Sequence, residues 1–215
     1  MRCHTFIYRA ALAAAIATSA SADPRYQMKL WGIDTDDAQL FAISDIERPH
    51  ATFTDFGALA VVIDGEQIRI GGDIGAFTVI EERRGYVAVN RDIGPHVAPV
   101  LLELNLRELV PGLPPVASVV GSLDVPTSSG APGRVTGIAG DPFFGAMYLA
   151  VSDGDHKTPD RLYSVEAAKL PDVAPRFRGE MTLGDDAVTQ AGDIAVGPFG
   201  RLLVTDEAKR RVVVI

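Results

Sequence analysis

The chain repeats itself. Ile138-Ala139-Gly140-Asp141-Pro142-Phe143-Phe144-Gly145 is answered by Ile194-Ala195-Val196-Gly197-Pro198-Phe199-Gly200, with the Ile, Ala, Pro and Phe pairs each 56 residues apart. A long fixed offset marks a supersecondary unit that cannot bury its apolar face alone and must stack on its neighbours. Each copy runs on into an apolar segment closed by a hydroxyl residue and Asp, Val151-Ser152-Asp153 in one and Val204-Thr205-Asp206 in the other. The same kind of segment recurs as Leu30-Trp31-Gly32-Ile33-Asp34 and Tyr86-Val87-Ala88-Val89-Asn90. Four units follow, their endings Asp34, Asn90, Asp153 and Asp206 lying 56, 63 and 53 residues apart.

Within a unit, short runs of Val, Ile, Leu, Tyr and Phe are divided by Gly, Pro, Asp and Asn, which is the texture of strands and turns. No stretch carries a sustained helical period. The first strand of a unit, strand a, is expected at Ile74 to Ile80, Val135 to Asp141 and Asp193 to Val196. Strand b is the apolar segment above. Strand c is expected at Gln39 to Ile43, Val100 to Leu104, Arg161 to Val165 and Arg211 to Ile215, and strand d at Ala51 to Phe56, Val116 to Gly121 and Arg176 to Leu183. Four short strands at a long period predict an all-β fold, a β-propeller of about four four-stranded blades, with units near 29–58, 74–121, 135–183 and 191–215. A β-sandwich accounts for the strands but not for the repeat. Fourteen of sixteen strands are found, because the first unit starts at strand b and the last stops after strand c. Three arrangements answer that deficit: Asp23 to Met28 folding across, a second subunit pairing at the C-terminal edge strand, or a truncated piece of a larger propeller. The shortness of Asp23 to Met28 favours an incomplete, open ring.

The last unit also resembles a known repeat. Gly192-Asp193-Ile194-Ala195-Val196-Gly197-Pro198-Phe199-Gly200-Arg201-Leu202-Leu203-Val204-Thr205-Asp206, followed by Lys209-Arg210-Arg211-Val212-Val213-Val214, is similar to an NHL or YVTN-type propeller repeat. Such repeats read as an I-A-V strand, a Gly turn, a (L/Y)-V-x-D strand, a short basic loop and an R-V-x-V strand. The resemblance is good over 191–215, fair over 135–165 and weak in the first two units. It implies a propeller whose chemistry ranges from binding modules to lactonases and phosphatases, so it speaks to fold rather than to reaction.

Residues 1–22, MRCHTFIYRAALAAAIATSASA, read as a cleaved signal peptide: Arg2 and Arg9 in the basic start, an apolar stretch over Ala10 to Ala17, and Ala20-Ser21-Ala22 as the small-x-small site. The apolar stretch is far below the ~20 residues that span a bilayer. Export to a bacterial periplasm or beyond the cell is therefore expected, with no membrane span in the mature chain. Cleavage removes the single cysteine, Cys3, and two arginines, taking the formal net charge from −8 to −10. Nucleic acid and anionic lipid are disfavoured partners, since phosphate contacts need a basic surface.

In a propeller, the loops from strand b to strand c share one rim with the loops that lead into strand a. Carboxylates and one carboxamide crowd those loops: Asp34 and Asp36, Asn90 and Asp92, Asp153 and Asp155, and Asp206, with His96 and His156 among them. Asp64, Asp73, Asp124, Asp185 and Asp186 join them from the lead-in loops. One reading is a Ca²⁺ site on Asp34, Asn90, Asp153 and Asp206, since hard cations prefer such oxygens and a bound cation polarises an ester, lactone or phosphoryl oxygen. The other is turn chemistry, in which Asp and Asn cap the turns that end strands. Asp34-Thr35-Asp36 begins like an EF-hand loop but places Gln39 where Gly is needed and Asp45 where Glu is needed. His50 follows Pro49 with no neighbouring motif, and Trp31, the single tryptophan, is expected to pack within its blade. No G-x-S-x-G, H-E-x-x-H or P-loop is present. The leading functional reading is a binding or scaffold module that engages a small ligand or protein through its acidic loops and requires no cofactor. The alternatives are a Ca-dependent lactonase, esterase or phytase-like phosphohydrolase, and a truncated or oligomer-completed propeller with a structural role.

Overall fold

The computed structural model describes residues 30–44, 46, 50–80, 83–141, 146–169, 174–197 and 200–215. Residues 1–22, expected from the sequence to be a signal peptide, the stretch Asp23 to Met28, and Pro142 to Gly145 and Pro198-Phe199 of the repeat lie outside the described residues.

Fourteen strands form four antiparallel sheets in chain order. Sheet one holds β1 (Leu30–Ile33), β2 (Gln39–Ser44) and β3 (Thr52–Ala58). Two further strands, β4 (Ala60–Ile63) and β5 (Glu66–Arg69), intervene before sheet two, which holds β6 (Ile74–Ile80), β7 (Arg84–Val89), β8 (Val100–Asn105) and β9 (Val116–Ser122). Sheet three holds β10 (Arg134–Gly140), β11 (Ala146–Ser152), β12 (Arg161–Glu166) and β13 (Arg176–Glu180). After a small hairpin of β14 (Thr182–Leu183) and β15 (Asp186–Ala187), sheet four holds β16 (Ala191–Val196), β17 (Leu202–Asp206) and β18 (Arg211–Val214).

Inner strands β6, β10 and β16 pack side by side, and β1 meets β6. No strand packing of comparable extent joins sheet four back to sheet one among the described residues. Sheets standing around an axis on their first strands form a propeller, and here the ring is open.

Burial follows from this stacking. Every sheet joint holds its own apolar layer, and strands alternate their side chains between the two joints they border. Val87 and Val89 face the layer with Ile33 and Leu40 of sheet one. Tyr86 and Ala88 of the same strand face the layer with Ile138 and Leu149 of sheet three. Ala150 and Leu162 then face Ile194 and Val204 of sheet four. Each Leu or Val buried in this way contributes about 2 kcal/mol. This is why β7 and β8 read as nearly unbroken apolar runs, whereas β18 alternates between buried Val213 and exposed Val212 and Val214.

The three inner strands share an irregularity. The register slips between Ile74 and Ala76, between Val135 and Gly137, and between Ala191 and Ile194, so a bulge sits at the same height in each. Inner strands approach closely there, and glycine permits it: a Cβ on Gly75 would stand 2.1 Å from the Val135 carbonyl oxygen, and one on Gly137 would stand 2.8 Å from that of Gly192.

Two features depart from the sequence expectation. The linker 59–73 is not a simple loop, because β4 and β5 form a hairpin that adds to the outer edge of sheet two, with Ala60 and Val61 pairing in parallel with Val116 and Ala117. Asp64 accordingly sits in that hairpin's turn, with φ 53°. The strand expected over Arg176 to Leu183 ends at Glu180, and Thr182–Leu183 turns away to pair with Asp186–Ala187. No helix of the described residues is long and apolar enough to cross a membrane.

Candidate functional site: the carboxylate-bearing rim

Strand order places the b-to-c loops and the lead-in loops at one end of each sheet, and cross-sheet contacts bring these ends together. The backbone N–H of Gly72 donates to the Asp36 carbonyl, 3.0 Å, linking the rims of sheets one and two. Asn90 links sheets two and three with both ends of its amide: Nδ2 donates to the Val135 carbonyl at 2.8 Å, and Oδ1 accepts the Val135 N–H at 2.9 Å. Arg134 pairs with Asp73 beside it at 3.4 Å. Asp160 links sheets three and four by accepting the Ala191 N–H at 2.5 Å.

The residues singled out from sequence are nearly all engaged locally. Asp34 accepts the N–H groups of Asp36 and Asp37 at 2.8 and 3.3 Å, closing an Asx turn. Asp36 itself is exposed. Asp92 accepts the Ala98 N–H at 2.8 Å and spans its loop. His96 is half-buried and exchanges backbone hydrogen bonds with Ile93. Asp153 accepts the Asp155 N–H at 2.9 Å and the Thr158 hydroxyl at 2.5 Å. Asp155 accepts the N–H groups of Lys157 and Thr158, and these hydrogen bonds to its charged form bring its pKa down to about 2. His156 is exposed on a left-handed residue, φ 56°. Asp206 is buried and accepts from the Arg211 Nε at 3.0 Å and the Lys209 N–H at 3.3 Å. His50 is exposed, and Trp31 packs within its blade, stacked on Phe56 with ring centroids 5.4 Å apart.

The four strand endings Asp34, Asn90, Asp153 and Asp206 therefore do different work: one turn cap, one sheet-to-sheet clamp, one loop brace and one buried counter-ion. Among the described residues no group of three or more His, Cys, Asp or Glu side chains could hold a metal ion.

Three carboxylates that sequence reasoning passed over or treated as ordinary carry the rim's electrostatics. Burial raises the pKa of Asp160, against the opposing pull of its hydrogen bonds from Ala191 and Ser152. Burial likewise pushes Asp193 up to about 6, although it accepts the N–H groups of Ile194 and, from sheet three, Ile138. Asp186 is held below its usual range by Lys209 and Arg211, which both donate to it. Asp160 sits between a proline and a strand with no motif to mark it, and Asp193 reads only as the first residue of an apolar strand.

No family model matches the chain. No curated protein matches it. Among solved structures the chain is similar to a crystal structure of the β-propeller domain of Cps50 (Swd1) from Myceliophteria thermophila, with 11% identity and a TM-score of 0.45, over 87% of this chain and 66% of that one.

Proposed function

We propose that this chain is an exported, non-catalytic binding module of the NHL or YVTN-like kind, which holds a cationic ligand or protein segment against its acidic rim. The observation that carries the reading is the division of labour among the rim carboxylates. Asp34, Asp153, Asp186 and Asp206 are spent on turns and internal ion pairs, whereas Asp36, Asp37, Asp124, Asp185 and Glu207 are exposed and make no ion pair among the described residues. These exposed carboxylates outnumber Lys157 and Arg210, the exposed cations of the same rim that make no ion pair among the described residues, and an excess of one sign of charge raises the local concentration of opposite charge and speeds its capture. Catalysis would instead ask for a nucleophile beside a base, or a base beside an open cavity.

The test is calorimetric titration of the mature chain with a short Lys- and Arg-rich peptide at low and physiological salt. Binding should be present at low salt, should weaken as salt rises, and should fall by roughly tenfold in the double variant Asp36→Ala, Asp37→Ala. No binding at low salt, or turnover of an ester, lactone or phosphate ester by the same sample, overturns the reading. Export is checked separately by fractionating expressing bacteria and sequencing the N-terminus, which should begin at Asp23.

A further inference from the structure

Between β3, the β4–β5 hairpin and the turn that carries Gly112 and Pro114 lies a cleft of about 400 Å³, at the small end of the ~300–1,000 Å³ that small-ligand sites occupy. Its buried lining is apolar, from Phe56, Ala58 and Ala60. Gly57 and Gly112 also border it, at φ 90° and 85°. A Cβ on either would meet nothing within 4 Å, so the space in front of both is open. None of the lining residues belongs to the acidic rim.

Two charged side chains line the cleft, one of each sign, and both are rooted in pinned backbone. Asp55 stands beside a bulge in β3, where the register slips between Leu40 and Phe41. Its carboxylate is oriented by the Gly57 N–H on one oxygen, at 2.8 Å, and by Gln39 Nε2 on the other, at 2.6 Å. An ionised carboxylate has about four acceptor positions, so acceptor capacity remains for a further donor. Arg69 ends β5, where its carbonyl accepts from Arg91 Nη2 at 3.2 Å and the N–H of the following Ile70 donates to the Leu59 carbonyl at 2.7 Å. The Arg69 guanidinium itself makes no hydrogen bond or ion pair among the described residues. Asp55 and Arg69 thus share one cleft without pairing, and no other charged side chain lines it to cancel either of them.

We propose that this cleft binds a free α-amino acid with an aliphatic side chain. The ammonium donates to Asp55, and the carboxylate takes the planar fork of Arg69, whose donors match two carboxylate oxygens at once. The aliphatic side chain covers Phe56, Ala58 and Ala60. A ligand with a single charge answers only one of the two protein groups, whereas a zwitterion answers both. This site is separate from the rim and selects no net charge, so it stands or falls apart from the cationic ligand proposed there.

The experiment is calorimetric titration of the full chain with L-leucine in the millimolar range, at physiological salt so that capture by the acidic rim is screened. Three comparison ligands dissect it: N-acetyl-L-leucine lacks the ammonium, L-leucinamide lacks the carboxylate, and glycine lacks the side chain. Leucine should bind saturably, and each comparison ligand should bind at least about tenfold more weakly. Arg69→Gln should weaken leucine by the same factor as amidation does and leave leucinamide unaffected. Asp55→Asn, which keeps an oxygen for the Gly57 N–H, should weaken leucine by the same factor as acetylation does and leave N-acetyl-leucine unaffected. Circular dichroism checks that both variants fold, and the ligand series tests the site without any variant. No uptake of leucine, a capped form or glycine bound as tightly as leucine, or folded variants that bind leucine like the wild type would each overturn the proposal.

Discussion

The side-chain amide of Asn90 pairs with both the N–H and the C=O of Val135, 45 residues away, so one residue of sheet two substitutes for a strand partner of sheet three. The peptide it clamps lies against Gly75 at the bulge, too close for any side chain there. Asn90→Ala leaves two part-buried backbone groups unpaired and should cost about 2 kcal/mol in chemical denaturation. Asn90→Asp should cost at least as much near neutral pH, since a carboxylate cannot donate to the Val135 carbonyl.

Asp193 predicts a pH dependence of known sign. Its pKa is raised to about 6 in the folded chain by burial, from 3.8, so the folded state binds its proton more tightly than the unfolded state does. Stability from this group is fully present below pH 3.8 and is lost as pH rises through about 6, a swing of at most about 3 kcal/mol. Asp160 is raised by burial too and acts in the same direction. Asp193→Asn removes the first contribution, so the variant's stability relative to wild type should climb between pH 4 and 6 in urea titrations. A constant difference across that window would show that the half-buried Asp193 carboxylate is not responsible.

The ion-pair group on sheet four separates a buried charge from exposed ones. The Asp206 side chain is fully buried and leans on Arg211, whereas Lys209 meets Asp186 at a half-exposed position. Arg211→Ala removes the side-chain donor to the buried Asp206 carboxylate, leaves it only the Lys209 N–H, and should lower the unfolding midpoint by more than Lys209→Ala does. Lys209→Ala should cost under about 1 kcal/mol. Equal losses in thermal or urea unfolding would contradict this assignment.

Calcium should matter little. With Asp34, Asn90, Asp153 and Asp206 each engaged elsewhere, adding millimolar Ca²⁺ or a chelator should leave the unfolding midpoint within about 1 °C. A rise of several degrees with Ca²⁺ would call for a coordination site on the rim.

The repeat made the architecture legible because stacked sheets impose the same apolar rhythm at each turn of the ring. Ile138 and Ile194 occupy matching places on β10 and β16, and that equivalence is written in the letters themselves. The β4–β5 hairpin was not legible: Ala60-Val61-Val62-Ile63 and Glu66 to Arg69 have no counterpart in the other units, and their role depends on an edge of sheet two that comes much later in the chain. The rim was legible in composition and not in use. That Asn90 reaches Val135 while Asp34 reaches only as far as Asp37 depends on how near the next inner strand comes, which spacing along the chain does not encode. Asp160 and Asp193 were hidden for the same reason, since their burial is created by the neighbouring sheet.

An open ring has two ends, and ends fray. Sheets two and three are held from both sides, sheets one and four from one side only, so a row of nearest-neighbour joints should open from its termini inward. Amide exchange in dilute solution should be slowest in β7, β8 and β11 and fastest in β2 and β18.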